Sequence, residues 1–174
     1  GGGTGLSTML WGLKLKTDRI TAIVTVADDG GSSGRIRSEL GIPPPGDIRN
    51  TLVALANTEP LMEQLFQYRF DWGEGLEGHS FGNLFIAAMT DITGDFEEAI
   101  RTSSQVLAVR GQVLPSTLNS VTLRAEYDDG STTSGESLIP QPGKKIRRIF
   151  LEPENCEPLE EAITAIDSAE AIIL

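Results

Sequence analysis

The stretch GGGTGLSTMLWGLKLKTDRITAIVTVADDGG, residues 1–31, decides the fold. Four of its first five residues are glycine, and Leu6, Met9, Leu10 and Leu13 then recur at the i, i+3, i+4, i+7 spacing of a helix with one apolar stripe. The β-branched run from Ile20 to Val26 has strand length and stops at Asp28, Asp29, Gly30 and Gly31. The order is glycine loop, helix, strand, acidic turn. A strand feeds such a loop in an α/β unit, so the sequence predicts a βαβ unit whose first strand precedes residue 1. Ala171 to Leu174 likewise reads as the start of a final strand. Residues 1–174 are expected to be one α/β domain excerpted from a longer chain, lacking its first strand and its C-terminal part.

Working outward, Asp47 is placed to cap a helix that carries Ile48, Leu52, Leu55 and Ala56 on one face and stops near Asn57. Pro60 opens another helix, over about residues 61–70. Ser80 caps an almost wholly apolar segment through Met89, which is expected to be a buried central helix, and Asp95 caps a helix carrying Phe96, Ala99, Ile100, Ser103 and Leu107. From Val121 the period changes to two, with a turn at Asp129 and Gly130, so residues 121–127 predict a hairpin strand. Ile146 to Leu151 reads as a further strand, and Leu159, Ala162, Ile163 and Ile166 as a helical stripe.

Composition narrows the function. The 174 residues carry a net charge of -11, which disfavours a nucleic-acid or anionic-membrane partner that needs a basic face. With 39% apolar and 22% charged residues and a mean hydropathy of -0.09, the chain is neither disordered nor membranous in character. The longest clean apolar stretch, Leu84 to Met89, is far too short to span a bilayer, so no membrane insertion is expected. Cys156 is the single cysteine, without a partner for a disulfide or a thiolate zinc site, which fits a reducing cytoplasm.

Chemistry gathers where the nineteen glycines cluster. Gly1, Gly2, Gly3 and Gly5 let a backbone pass close to a ligand, with the N–H groups of the next helix turned toward an anion, most naturally a diphosphate. Leu6 stands where G-x-G-x-x-G wants its last glycine, and no Gly-Lys-Ser/Thr follows. Asp28 and Asp29 follow the strand, where α/β sheets place ligands, and suit a ribose, a base or a hydrated magnesium ion, although an acidic turn needs no ligand. The Gly30 to Gly34 segment reads as a long flexible polar loop, followed by the cations Arg35 and Arg37. Asp47 serves as a cap or a ligand group, and Asn50, one turn on, can read a base edge or a hydroxyl. His79, the single histidine, lies between Gly78 and the pair Gly82 and Asn83, and serves ligand contact or structure. Asn83 opens an apolar helix, where a buried amide needs partners. No nucleophile, base or metal cluster can be assembled around these residues, so no catalytic residue is assigned.

Four segments together carry a resemblance: GGGTGLS at 1–7, VTVADDGGSSGR at 24–35, PPGDIRN at 44–50 and GHSFGN at 78–83. The chain resembles the YvcK branch of the YvcK/CofD-like family (UPF0052), the gluconeogenesis factors, and the likeness runs through residues 107–114 and 150–153. The resemblance implies a Rossmann-like three-layer sandwich with a mostly parallel sheet and a small antiparallel hairpin excursion near residues 121–151. It implies a protein of the bacterial cytoplasm that binds UDP-sugars such as UDP-N-acetylglucosamine and is needed for cell shape and peptidoglycan synthesis during gluconeogenic growth. Carried over, Thr4 and Gly5 meet the diphosphate, Asp28 or Asp29 and Asn50 line the base or sugar side, and His79, Gly82 and Asn83 close the pocket, with Gly2, Gly3 and Asp47 counted among the expected ligand-binding residues. The family also has a strand before the glycine loop and a second glycine-rich segment beyond residue 174. The expected partner is a nucleotide-sugar, with self-association into a homo-oligomer also open. The rival reading is a nucleotide-dependent transferase of phosphorus-containing groups, like 2-phospho-L-lactate transferase, with magnesium on Asp28 or Asp29. A nicotinamide-dependent oxidoreductase ranks third, weakened by the missing last glycine.

Overall fold

In the computed structural model, residues 2–174 are described, and Gly1 of the glycine run lies outside the described residues. The chain order is α1 (Gly3–Leu13), β1 (Thr21–Val24), α2 (Gly31–Leu40), α3 (Gly46–Leu55), α4 (Pro60–Gln67), α5 (Phe81–Thr93), α6 (Phe96–Val106), β2 (Gln112–Pro115), β3 (Thr122–Tyr127), β4 (Thr132–Ser134), β5 (Ile146–Glu152) and α7 (Glu160–Asp167). β1 pairs in parallel with β2, Thr21 opposite Gln112 and Val24 opposite Pro115. β3 is flanked by β4 and β5 in a separate antiparallel sheet. The fold is thus mixed α/β with a parallel and an antiparallel sheet. Among the described residues the parallel sheet has two strands, and the antiparallel sheet of three strands lies at residues 122–152, where the hairpin excursion is expected.

The parallel pair is apolar on both faces, as buried parallel strands must be. Ala22, Val24 and Val113 enter the main core with Leu10, Phe66, Ile86, Phe96, Ile100 and the inner face of α3. On the other face Leu114 packs with Leu159 and Ala162 at α7, joined by Ile23. α3 holds the centre: Ile48, Leu52, Val53, Ala54 and Leu55 are at most 1% exposed. The segment after Ser80, expected to be the buried central helix, is instead amphipathic. α5 buries Gly82, Asn83, Ile86, Ala87 and Thr90 but leaves Ala88, Asp91 and Ile92 outside, because Asp91 and the helix's own period turn that side to water.

Local chemistry accounts for most boundaries. Ser80 and Asp95 are the expected caps, their side chains accepting from the N–H groups of Asn83 at 3.1 Å and Glu98 at 2.7 Å. Pro60 begins α4, although that helix stops at Gln67, since Arg69 leaves it to bridge Ser80. Gly130 turns the β3–β4 hairpin with φ +81. Three expectations change. The Gly30 to Gly34 segment is no flexible loop but the start of α2, where Ser32, Ser33 and Ile36 are buried. Gly34 makes that possible, because any Cβ there would fall 2.0 Å from the Asp29 carbonyl oxygen. Asp47 is not the cap of α3: Pro45 occupies that position and the carboxylate turns to α1. Ala171 to Leu174 form no strand, having no neighbouring strand to pair with among the described residues.

Candidate functional site

The first turns of four helices adjoin one another. Gly3, the first residue of α1, donates its N–H to Asp47 Oδ1 on α3 at 2.9 Å. Gly46, the first residue of α3, lies against α2, where a Cβ would meet Ser33 Oγ at 2.2 Å and Asp28 Oδ2 at 3.1 Å. Ser32 and Ser33 of α2 in turn accept from Asn83 Nδ2 of α5, at 3.1 and 3.5 Å. Each helix head carries the partial positive charge of its unpaired N–H groups, so the junction is a place where anions are favoured.

Gly2 is the cap of α1 with extended backbone and no side-chain cap, and Gly3, Thr4 and Gly5 are exposed. Gly3 gives its N–H to Asp47, which leaves the exposed Thr4 and Gly5 as the residues of this helix head that an anion can meet. Gly2 also fits tightly from below, since a Cβ would meet Asp47 Oδ2 at 2.3 Å and Thr25 Cγ2 at 2.5 Å.

The acidic residues serve different partners. Asp28 Oδ1 accepts from the Gly30 N–H at 2.9 Å, an Asx turn. Asp29 Oδ1 accepts from the Ser137 N–H at 2.8 Å, which ties the antiparallel excursion to the head of α2. Burial pushes the Asp47 carboxyl above the ordinary carboxylate range, opposed by the Gly3 N–H and aided by the charge of Asp28. Glu136 is raised as well, by burial first and then by Asp28, Asp47 and Asp29. Among the described residues no three His, Cys, Asp or Glu side chains gather to hold a metal. A magnesium ion on Asp28 or Asp29 would have to keep mostly water ligands.

Asn50, half-buried, accepts from Arg49 Nη2 at 2.7 Å through Oδ1. His79 is buried, its Nδ1 3.0 Å from Ser32 Oγ, and burial lowers its pKa, helped by Arg35 and Arg69. Gly82 abuts the protein itself: a Cβ there would reach the Phe66 carbonyl oxygen at 2.5 Å and the Arg49 stem at 2.8 Å. Asn83 is 2% exposed, and its Oδ1 is buried without a partner.

The structure thus joins Gly2, Gly3, Asp28, Asp47, His79 and Asn83 through two serines absent from the expected set. Ser32 and Ser33 were legible only as polar loop residues, and their signal was the glycine pair before them, a helix start. Glu136 gave no local signal, since it reaches the acidic group from more than a hundred residues downstream of Asp28 and Asp29. A depression of about 340 Å³ lies beside this junction, between α2 and the antiparallel sheet, lined by Asp29, Gly34, Arg37, Ser38, Ser120 and Thr122 with others.

Comparison with known proteins bears on this geometry. The family model described as 2-phospho-L-lactate transferase CofD matches residues 1–174. The chain is 60% identical over 174 residues to a gluconeogenesis factor of Halalkalibacterium halodurans, covering 100% of this chain and 54% of that protein. It is 62% identical to the gluconeogenesis factor of Bacillus subtilis, again over the whole chain and 55% of the relative. A crystal structure of a UPF0052 family member from Bacillus halodurans superposes with TM-score 0.94 at 60% identity, covering 98% of this chain and 55% of that one. The chain spans about half the length of the relatives it matches. No helix is long and apolar enough to cross a membrane among the described residues. By full-length family match and by identity the chain belongs to the CofD family, on its gluconeogenesis-factor (UPF0052, YvcK) branch.

Proposed function

We propose that this chain is the nucleotide-sugar-binding part of a cytoplasmic regulator that takes UDP-N-acetylglucosamine or a close relative and serves cell shape and peptidoglycan synthesis during gluconeogenic growth. The observation that carries this reading is the exposed head of α1, where Thr4 and Gly5 are open to solvent beside Gly3, whose own N–H is held by Asp47. Main-chain N–H groups there neutralise a diphosphate without any lysine, as helix heads do. Asp28, Asp47 and Asn50 stand on the side where a nucleoside or sugar offers hydroxyl and N–H donors, and acidic acceptors suit those donors. His79, Ser32 and Asn83 act as a scaffold for this surface and transfer no proton. The parallel pair with helices on both faces is read as part of a Rossmann-like three-layer sandwich, one domain completed by chain outside residues 1–174. Calorimetry on the intact protein with a panel of UDP-sugars tests the reading. Saturable binding at or below millimolar concentration is expected. No heat from any UDP-sugar at that concentration rejects it.

The transferase reading is favoured by one observation, the carboxylates of Asp28, Asp29, Asp47 and Glu136 collected on one side of the junction. In that case magnesium would tighten nucleotide binding, and Asp28→Asn would abolish turnover. Calorimetry with and without magnesium separates the two readings.

A further inference from the structure

The chain has fourteen lysines and arginines against twenty-five acidic residues, so carboxylate partners are plentiful. Eight of the cations sit within ion-pair distance of one: Arg19, Arg101, Arg110, Arg124, Lys144, Lys145, Arg147 and Arg148. Arg35, Arg49 and Arg69 do not, among the described residues. Arg35 and Arg69 meet instead around one short turn, and Arg49 lies just beyond it at the first turn of α5. Arg35 Nη2 donates to the Glu77 carbonyl at 2.7 Å, and Arg69 Nη1 donates to the next carbonyl, that of Gly78. The stem of Arg49 lies against Gly82, its Cγ and Cδ 2.8 Å from where a Cβ would stand. Its guanidinium donates to the neutral Asn50 amide, and its Nε is buried without a partner.

A guanidinium has five N–H donors, and the bonds above use one on each arginine, all to neutral oxygens. Arg69 repels the Arg49 guanidinium, with Asp47 acting against it, and an anion near these cations offsets that cost. The same turn leads into the head of the thirteen-residue α5, where the Phe81 and Asn83 N–H groups are bonded to Tyr68 and Ser80 and the helix dipole still adds positive potential. Burial lowers the His79 pKa within the turn, with Arg35 and Arg69 acting in the same direction and Glu39 against them. Three cations fit a phosphoryl dianion with three oxygens better than a carboxylate with two, and the planar fork suits phosphate geometry.

We propose that Arg35, Arg49 and Arg69 bracket a second oxyanion subsite at the Glu77–Ser80 turn, distinct from the head of α1, which takes the phosphoryl group of a phosphate monoester. The intact protein is titrated with inorganic phosphate at constant ionic strength, followed by calorimetry, with acetate as the matched control. Saturable phosphate binding is expected, weakened about tenfold in Arg69→Gln, the loss of one charge-assisted hydrogen bond. Arg69 is exposed, so this variant keeps its fold, and Arg35→Gln gives an independent second reading of the same loss. Phosphate is expected to bind equally well with UDP at saturation. Affinity unchanged in both variants, an equal response to acetate, or displacement of phosphate by UDP overturns the proposal. If UDP fails to bind, the nucleotide reading falls while the phosphate titration still decides this one.

Discussion

Asn83 condenses the residue-scale account. An amide at the head of an apolar helix demands partners, and the structure supplies Ser32 and Ser33 across the junction with α2. Asn83→Ala is expected to cost about 1–3 kcal/mol in urea denaturation, because it leaves buried hydroxyls under-bonded. A loss within error of zero would mean that these bonds do not hold α2 to α5. His79 gives a pH signature. Its pKa is lowered in the fold, so as pH falls below about 6.5 the unfolded chain protonates first and folding stability is lost, while above that value the contribution is complete. Asp47 and Glu136 act in the opposite sense, since their raised pKa values let the folded protein take protons first in the window above the ordinary carboxylate range. The stability gap between the wild-type chain and His79→Gln should therefore shrink from about pH 7.5 to pH 5.5. A gap that stays constant across that range would contradict a buried neutral imidazole. His79 and Asn83 were legible as special residues because each is chemically out of place in its neighbourhood. Asp47 was misread as a cap, for a helix-initial aspartate looks the same whether it bonds its own helix or another.

Elements were legible where period and punctuation agreed. The stripe of α1, the caps of α5 and α6 and the Asp129–Gly130 hairpin are all local signals, and local physics fixes them. α2 was not, because glycine and serine are weak helix formers and only burial of Ser32, Ser33 and Ile36 makes that helix favourable. Its packing gives a direct check. Gly34→Ala would drive a methyl into the Asp29 backbone and should destabilise the protein by roughly 1–3 kcal/mol in denaturant titration. An unchanged midpoint would contradict the close approach. β2 was missed altogether, since Gln112 to Pro115 is short and its partner β1 lies some ninety residues earlier. Asp29 belongs to this scale as well. Asp29→Ala should raise hydrogen exchange at Ser137 and its neighbours while leaving the core amides protected, because that bond holds the turn at Ser137 while Arg37 of α2 separately holds the start of β3. Exchange that accelerates everywhere would instead place Asp29 in the global stability of the chain.

At the scale of the molecule, charge is divided rather than spread. Carboxylates from β1's following loop and α3 act together on Glu136 of the 135–140 turn, while Arg35 of α2 and Arg69 of the α4–α5 connection converge on the neighbouring carbonyls of Glu77 and Gly78. That division was invisible in a net charge of -11, because it depends on long-range topology and not on composition. Of the four helix heads, that of α1 is exposed at Gly3, Thr4 and Gly5, with the Gly3 N–H bonded to Asp47. Amide-resolved NMR of the intact protein during titration with UDP tests this arrangement most directly. The account expects the largest shifts at the N–H groups of Gly3, Thr4, Gly5 and Leu6, saturating together at one affinity. Saturable binding that leaves those four amides unmoved and shifts others instead would contradict it.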